Sequence, residues 1–188
     1  MISASPIALS EVTARPLAAG LRYWLSKRSA DGQPPRRQDI DPIEIPSVLP
    51  YIELTDVIDE GADLRFRLVG THLVDIDSVN PTGQYLSNFF QVPSYRRYQF
   101  QLYRHVIENR VPLYSRSVMP LVESNSIFRT ERLYCPLVDD RGIVDCIINF
   151  QICKGLEAGT VTLEMAYDPT RGEGMVAEID TSADQLPR

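Results

Sequence analysis

Between Leu64 and Gly83 the chain changes its period, and that change limits the folds open to it more than any other feature. Leu64, Phe66 and Leu68 alternate with Arg65, Arg67 and Val69, the two-residue repeat of a half-buried strand. Gly70 ends the run, where a residue without Cβ lets the backbone turn without a steric cost. Leu73, Val74 and Ile76 follow as a short helical piece, closed by an Asn80-Pro81-Thr82-Gly83 turn. A strand that feeds short helices back over its own sheet roofs a pocket.

The flanking segments complete that sheet. Residues 51–58 place Ile52, Leu54 and Ile58 on one side and Glu53, Thr55 and Val57 on the other. With residues 59–63 as the turn, this predicts a hairpin with the strand at 64–69. Glu53 opposite Arg65 or Arg67 is the expected cross-strand charge pair, useful for register. Pro93 and Ser94 open the longest predicted helix, which ends near Asn109. Tyr95, Tyr98, Leu102 and Val106 form its stripe, widened by Phe100, Tyr103 and Ile107. A stripe so broad and aromatic lies against a sheet or over a cavity. Three strands are predicted next, at 111–122, 127–138 and 142–153, the last two joined by the turn Asp139-Asp140-Arg141-Gly142. In the last strand Val144, Cys146, Ile148, Phe150 and Ile152 share one face, and Asp145, Ile147, Asn149 and Gln151 the other. Val161, Leu163, Met165 and Tyr167 alternate weakly as an added strand.

Ahead of the sheet, Pro16 sits at a first-turn position, and Leu17, Leu21, Trp24 and Leu25 recur at helical spacing. Full burial of each of Leu21, Trp24 and Leu25 is worth roughly 1.5–3 kcal/mol, so the stripe must cover something. Either it packs on its own sheet, or Leu17, Leu21, Trp24 and Leu25 form a homodimer interface with a second copy. A polar Pro/Gly linker, ADGQPPRRQ, follows. Asp41, Pro42 and Glu44 then read as a helix start, with a capping carboxylate, a proline in the first turn and a reciprocal acid. That accounts for most of the Asp39, Asp41, Glu44 cluster without chemistry. The expected organisation is an N-terminal helix and linker at 1–34, a central domain at 35–153, and a partly flexible extension at 154–188.

Bulk properties narrow the partners. The 188 residues are 44% hydrophobic and 23% charged, with a net charge of -6, so no field that attracts nucleic acid or an anionic membrane is expected. Cys135, Cys146 and Cys153 lie in apolar strand patterns with no CxxC pair, which fits reduced, inert thiols in a cytoplasmic protein. The N-terminus lacks a basic region before an apolar core, so no signal peptide is expected. No apolar run approaches the roughly 20 residues that span a bilayer.

Five strands with the helices between the second and the third make an α+β layout, since every other connected pair can be a hairpin. That is the element order of a PAS domain: a five-stranded antiparallel sheet, helices between strands two and three, and an N-terminal amphipathic helix. Tyr23-Trp24, Pro35-x-Arg37, Asp39-Ile40-Asp41-Pro42, Leu49-Pro50, the run Arg65 to Thr71 and Thr82-Gly83 sharpen it. In this combination and order they resemble the free-standing PAS proteins of alphaproteobacteria, the PAS_5 family, over residues 17 to 153. Ser78 stands where the resemblance leads one to expect a glycine. The resemblance implies a sensory or protein-interaction module without catalysis, and it fixes no ligand or cofactor. No output segment is recognisable after the domain, so signal is expected to leave through protein contacts, with a histidine kinase or another PAS protein.

The expected pocket is formed by His72, Tyr98, Leu102, Arg116, Arg132, Tyr134, Ile148 and Phe150. Arg116, Arg129, Arg132, Tyr134 and Asn149 are polar residues inside strand patterns, and a buried arginine needs a partner. A small carboxylate held by Arg116 or Arg132 would supply one. Haem-binding PAS domains use a histidine of the long helix region, which makes His105 the haem candidate and a haem-binding sensor one alternative function. Nothing matches the Asn-Cys-Arg-Phe-Leu-Gln helix of light-sensing flavin PAS domains, and no catalytic or metal-ligating set stands out. The remaining alternative is a small enzyme on a ketosteroid-isomerase-like cavity fold, which calls for an acid–base pair inside the sheet.

Overall fold

The computed structural model describes residues 6–121, 126–155 and 175–181. Helix α1 (Arg15–Ser26) precedes strands β1 (Ile52–Ile58) and β2 (Asp63–Val69). Helices α2 (Thr71–Asp77), α3 (Leu86–Phe89) and α4 (Pro93–Asn109) then lead to β3 (Leu113–Leu121), β4 (Ser126–Val138), β5 (Val144–Gly155) and β6 (Met175–Glu178). All pairings within the one sheet are antiparallel, in the order β2-β1-β5-β4-β3-β6. The sheet has six strands where five were expected. The sixth, β6, pairs with β3 at the edge and lies past the predicted domain end at Cys153. The weak strand pattern at 161–167 lies outside the described residues.

Both faces of the sheet are covered, so β5 at its centre is buried from Cys146 through Gln151. On one face Leu17, Leu21 and Trp24 of α1 join Ile45 and Val48 against Leu133, Cys135, Cys146, Ile148 and Phe150. Trp24 Nε1 donates to the Pro136 carbonyl at 2.9 Å, so the indole N–H is satisfied where it is buried. Of the two readings of the α1 stripe, the fold takes the intramolecular one. Leu17, Leu21 and Trp24 have 1% or less of their surface exposed, and Leu25 packs against the same core. This corrects the dimer-interface expectation, because Leu17, Leu21 and Trp24 have no surface left for a second copy.

On the other face Tyr95, Tyr98, Leu102, Tyr103 and Val106 of α4 lie over Leu113, Tyr134 and Ile147. Leu64 and Phe66 join them, but Leu68 does not. The register shifts between Leu54 and Thr55, which face Leu68 and Phe66 respectively. Arg67 is thus an extra residue, and a bulge of this kind turns the next side chain to the opposite face. Both strand arginines bind Asp56, Arg65 at 2.9 Å and Arg67 at 2.5 Å. The expected pairing with Glu53 does not form, because Glu53 is on the inner face.

The capping signature holds in part. Asp41 Oδ1 accepts from the Ile43 N–H at 2.9 Å, whereas Glu44 turns to Lys27. Ser78 ends α2 with φ 54°, ψ 15°, the left-handed backbone that makes a glycine the expected residue there.

Candidate functional site

Polar side chains are concentrated and buried on the sheet face beneath α4. They are Glu53 and Thr55 of β1, Ser115 and Ser117 of β3, Thr130 and Arg132 of β4, and Asn149 and Gln151 of β5. Antiparallel register brings them together: Glu53 lies beside Asn149, Asn149 beside Tyr134, and Arg132 beside Gln151. Helix α4 adds Gln99, which is fully buried and stands among the aromatic residues of the stripe.

Two hydrogen-bonded groups result. Glu53 Oε1 accepts from Tyr103 Oη at 2.6 Å, Asn149 Nδ2 at 2.7 Å and Thr55 Oγ1 at 3.0 Å. Gln99 Oε1 accepts from Arg132 Nη1 at 2.7 Å and Tyr134 Oη at 3.0 Å. The Tyr103 and Tyr134 rings join the groups edge to face, 5.1 Å between centroids. Burial raises the Tyr95, Tyr98, Tyr103 and Tyr134 hydroxyls above their ordinary value of 10, so all four remain protonated donors. In Tyr103 the neighbouring Glu53 carboxylate adds to the effect.

Part of this network is unfinished. Tyr95 Oη, Tyr98 Oη, Gln99 Nε2, Ser115 Oγ and Asn149 Oδ1 are buried and lack a hydrogen-bond partner among the described residues. Ser115 and Ser117 are beside the Tyr98 hydroxyl, outside hydrogen-bonding geometry. Native proteins pair the great majority of such atoms, and each one left unmade costs about 1–3 kcal/mol. Five such atoms are on one sheet face and the helix above it. A run of edge-to-face rings, Phe66–Phe89, Phe89–Phe90 and Phe90–Tyr95, forms an apolar flank.

Of the expected pocket residues, the structure brings together Tyr98, Leu102, Arg132 and Tyr134. Ile148 and Phe150 face α1 on the opposite side, because strand alternation gives the α4 side to Ile147 and Asn149. Arg116 is also on the α1 side, with Nη2 3.5 Å from Tyr114 Oη, which itself donates to Glu131 Oε2 at 2.7 Å. His72 leaves the pocket for the Tyr51 ring, 4.6 Å between centroids. His105, the haem candidate, hydrogen-bonds through Nε2 to Glu178 Oε1 of β6 at 2.7 Å. Glu53, Tyr95, Gln99 and Ser115 were not expected in the site. A surface groove of about 760 Å³ lies on the α1 side, lined by residues such as Leu9, Val12, Pro16, Leu21 and Tyr51. None of the buried polar groups contributes to it.

A family model described as a PAS domain, PAS_5, matches residues 12–149. The chain belongs to the PAS_5 family of PAS domains. Membership settles the fold against the ketosteroid-isomerase-like alternative. No curated protein matches the sequence. Among solved structures, the chain is similar to VqmA bound to DPO, at 15% identity and a TM-score of 0.45, over 62% of this chain and 58% of that one. It is also similar to the Vibrio cholerae VqmA dimer in the absence of target DNA, at 14% identity and a TM-score of 0.46, over 63% and 54%. This chain thus spans little more than half the length of the VqmA chains it matches, and the likeness extends to the fold alone.

The partner expectations need correction. VqmA is described in terms of the DNA-binding mechanisms of LuxR-type receptors, so setting nucleic acid aside on charge does not stand. A net charge of -6 describes an average field, not the partners of an assembly. The likeness shows no nucleic-acid binding by this chain either. Neither VqmA structure is described with a histidine kinase or another PAS protein as a partner. Among the described residues no helix is long and apolar enough to cross a membrane.

Proposed function

We propose that this chain is a sensory PAS domain without catalytic activity, which takes up a small molecule between α4 and the sheet. The observation that carries the reading is the set of five buried polar atoms, around Gln99 and Tyr134, without a hydrogen-bond partner among the described residues. Residues 35–153 are taken as the sensory unit, with α1 packed on its sheet and β6 paired to its edge. A ligand that completes the network changes how α4 sits on the sheet, and a sensor works by stabilising one arrangement over another. Three cysteines outside any disulfide suit a reducing cytoplasm.

Native mass spectrometry of the gently purified protein tests this reading, together with thermal melts against a metabolite library. A bound mass that leaves on denaturation, or a compound that raises the melting temperature, is the expected result. A protein with no bound mass and a flat melting response across the library has a solid core, and the reading then fails.

A further inference from the structure

We propose that the molecule taken up is uncharged and carries both hydrogen-bond donors and acceptors, as a carboxamide or a hydroxylated ring does. This rests on the ligand-binding reading above and adds the chemistry of the ligand.

The unfinished atoms define that chemistry. Gln99 Nε2 is a donor and calls for an acceptor, whereas Asn149 Oδ1 is an acceptor and calls for a donor. The hydroxyls of Tyr95, Tyr98 and Ser115 can play either part. All five groups are neutral. They are on neighbouring residues: Ser115 is beside both Tyr98 and Tyr134, Tyr134 donates to Gln99, and Tyr134 pairs in register with Asn149.

The charged side chains on this face, Glu53 and Arg132, both take part in the network. Three donors converge on Glu53 Oε1, and Arg132 donates to Gln99. A carboxylate ligand has no donor and would leave Asn149 Oδ1 unmatched. An ammonium ligand has no acceptor and would leave Gln99 Nε2 unmatched. Either ion would also lose its hydration on entering a buried site, a heavy cost unless an opposite charge is there to meet it. A carboxamide carries no charge and has both the acceptor that Gln99 Nε2 lacks and the donor that Asn149 Oδ1 lacks.

The test compares benzamide, benzoate and benzylamine, which share a ring and differ in charge, by calorimetric titration and thermal melts at pH 7. Benzamide is expected to bind most tightly and to raise the melting temperature most. Tyr98→Phe, which deletes one unpartnered hydroxyl, should weaken benzamide about three- to tenfold. Tighter binding of benzoate or benzylamine overturns the assignment of charge and leaves the ligand-binding reading standing. So does benzamide affinity that is unchanged in Tyr98→Phe and Tyr95→Phe. If none of the three binds, the charge at pH 7 of any molecule released in native mass spectrometry decides the matter. If nothing is released, the ligand-binding reading fails and this inference with it.

Discussion

The backbone of Gly20 in α1 presses on the ring of Phe150 in β5 so closely that a Cβ at residue 20 would be 2.3 Å from Cδ1. The absence of a side chain there lets α1 reach the sheet. Gly20→Ala sets two effects against each other. Alanine is better than glycine in a helix interior by about 1 kcal/mol, while forcing a methyl into a packed core costs about 1–3 kcal/mol. Since the obstacle is a fully buried ring, overpacking should win, and the denaturant midpoint should fall. A rise in the midpoint would show that α1 can move off Phe150 at no cost.

Tyr95→Phe should do the opposite. The Tyr95 hydroxyl is buried without a partner among the described residues, so its removal recovers desolvation without breaking a bond. Ligand-free protein should gain about 1 kcal/mol, read as a higher denaturant midpoint. A loss of that size would mean that the hydroxyl is hydrogen-bonded, for instance to buried water.

Asp56 gives a pH dependence. Burial pushes its carboxyl up, and the hydrogen bonds from Arg67 and Arg65 more than reverse this, leaving it below its ordinary 3.8. A lowered folded value means that the unfolded chain binds the proton more readily. The stabilisation is therefore present above the unfolded value and is lost as pH falls through the folded one. Both arginines are partly exposed, so Asp56→Asn should cost only about 1 kcal/mol at neutral pH. The two proteins should converge in stability between pH 5 and about pH 2. Parallel curves across that range would remove Asp56 from the acid response.

Local pattern made most of the fold readable. The hairpin and its charged turn, α4 and the Asp139–Gly142 turn all depend on neighbouring residues, and the boundaries of α4 are those expected. The arrangement of the site depends on long-range geometry. Strand β6 is four residues long and finds its partner in distant β3, which no local pattern announces. The bulge at Arg67 reverses alternation without a glycine or proline to signal it. In β5 two faces were visible, but the more apolar one, with Ile148 and Phe150, belongs to α1. The site proposed above is on the polar face with Asn149. One signal was available: Gln99 stands on the stripe of α4 between Tyr95 and Leu102, where an amide needs a buried partner.

The cysteines report on how firmly α1 holds the sheet. Cys135 and Cys146 are both in the core under α1. Burial pushes the Cys135 thiol well above its ordinary 9, and burial, with Asp56 nearby, pushes Cys146 up to about 12. At pH 8 the Cys146 thiolate is then about one part in ten thousand, and only the thiolate reacts. Cys153 is half-buried and accepts from Gln151 Nε2 at 3.0 Å. Iodoacetamide at pH 8 should therefore label one thiol of the native chain, Cys153, and all three in guanidinium. If Gly20→Ala loosens α1 as argued, Cys146 should become labelled in the native variant at a rate that follows its loss of stability. Rapid labelling of Cys146 in the unaltered protein would mean that α1 leaves the sheet readily, and the Gly20→Ala penalty should then be small.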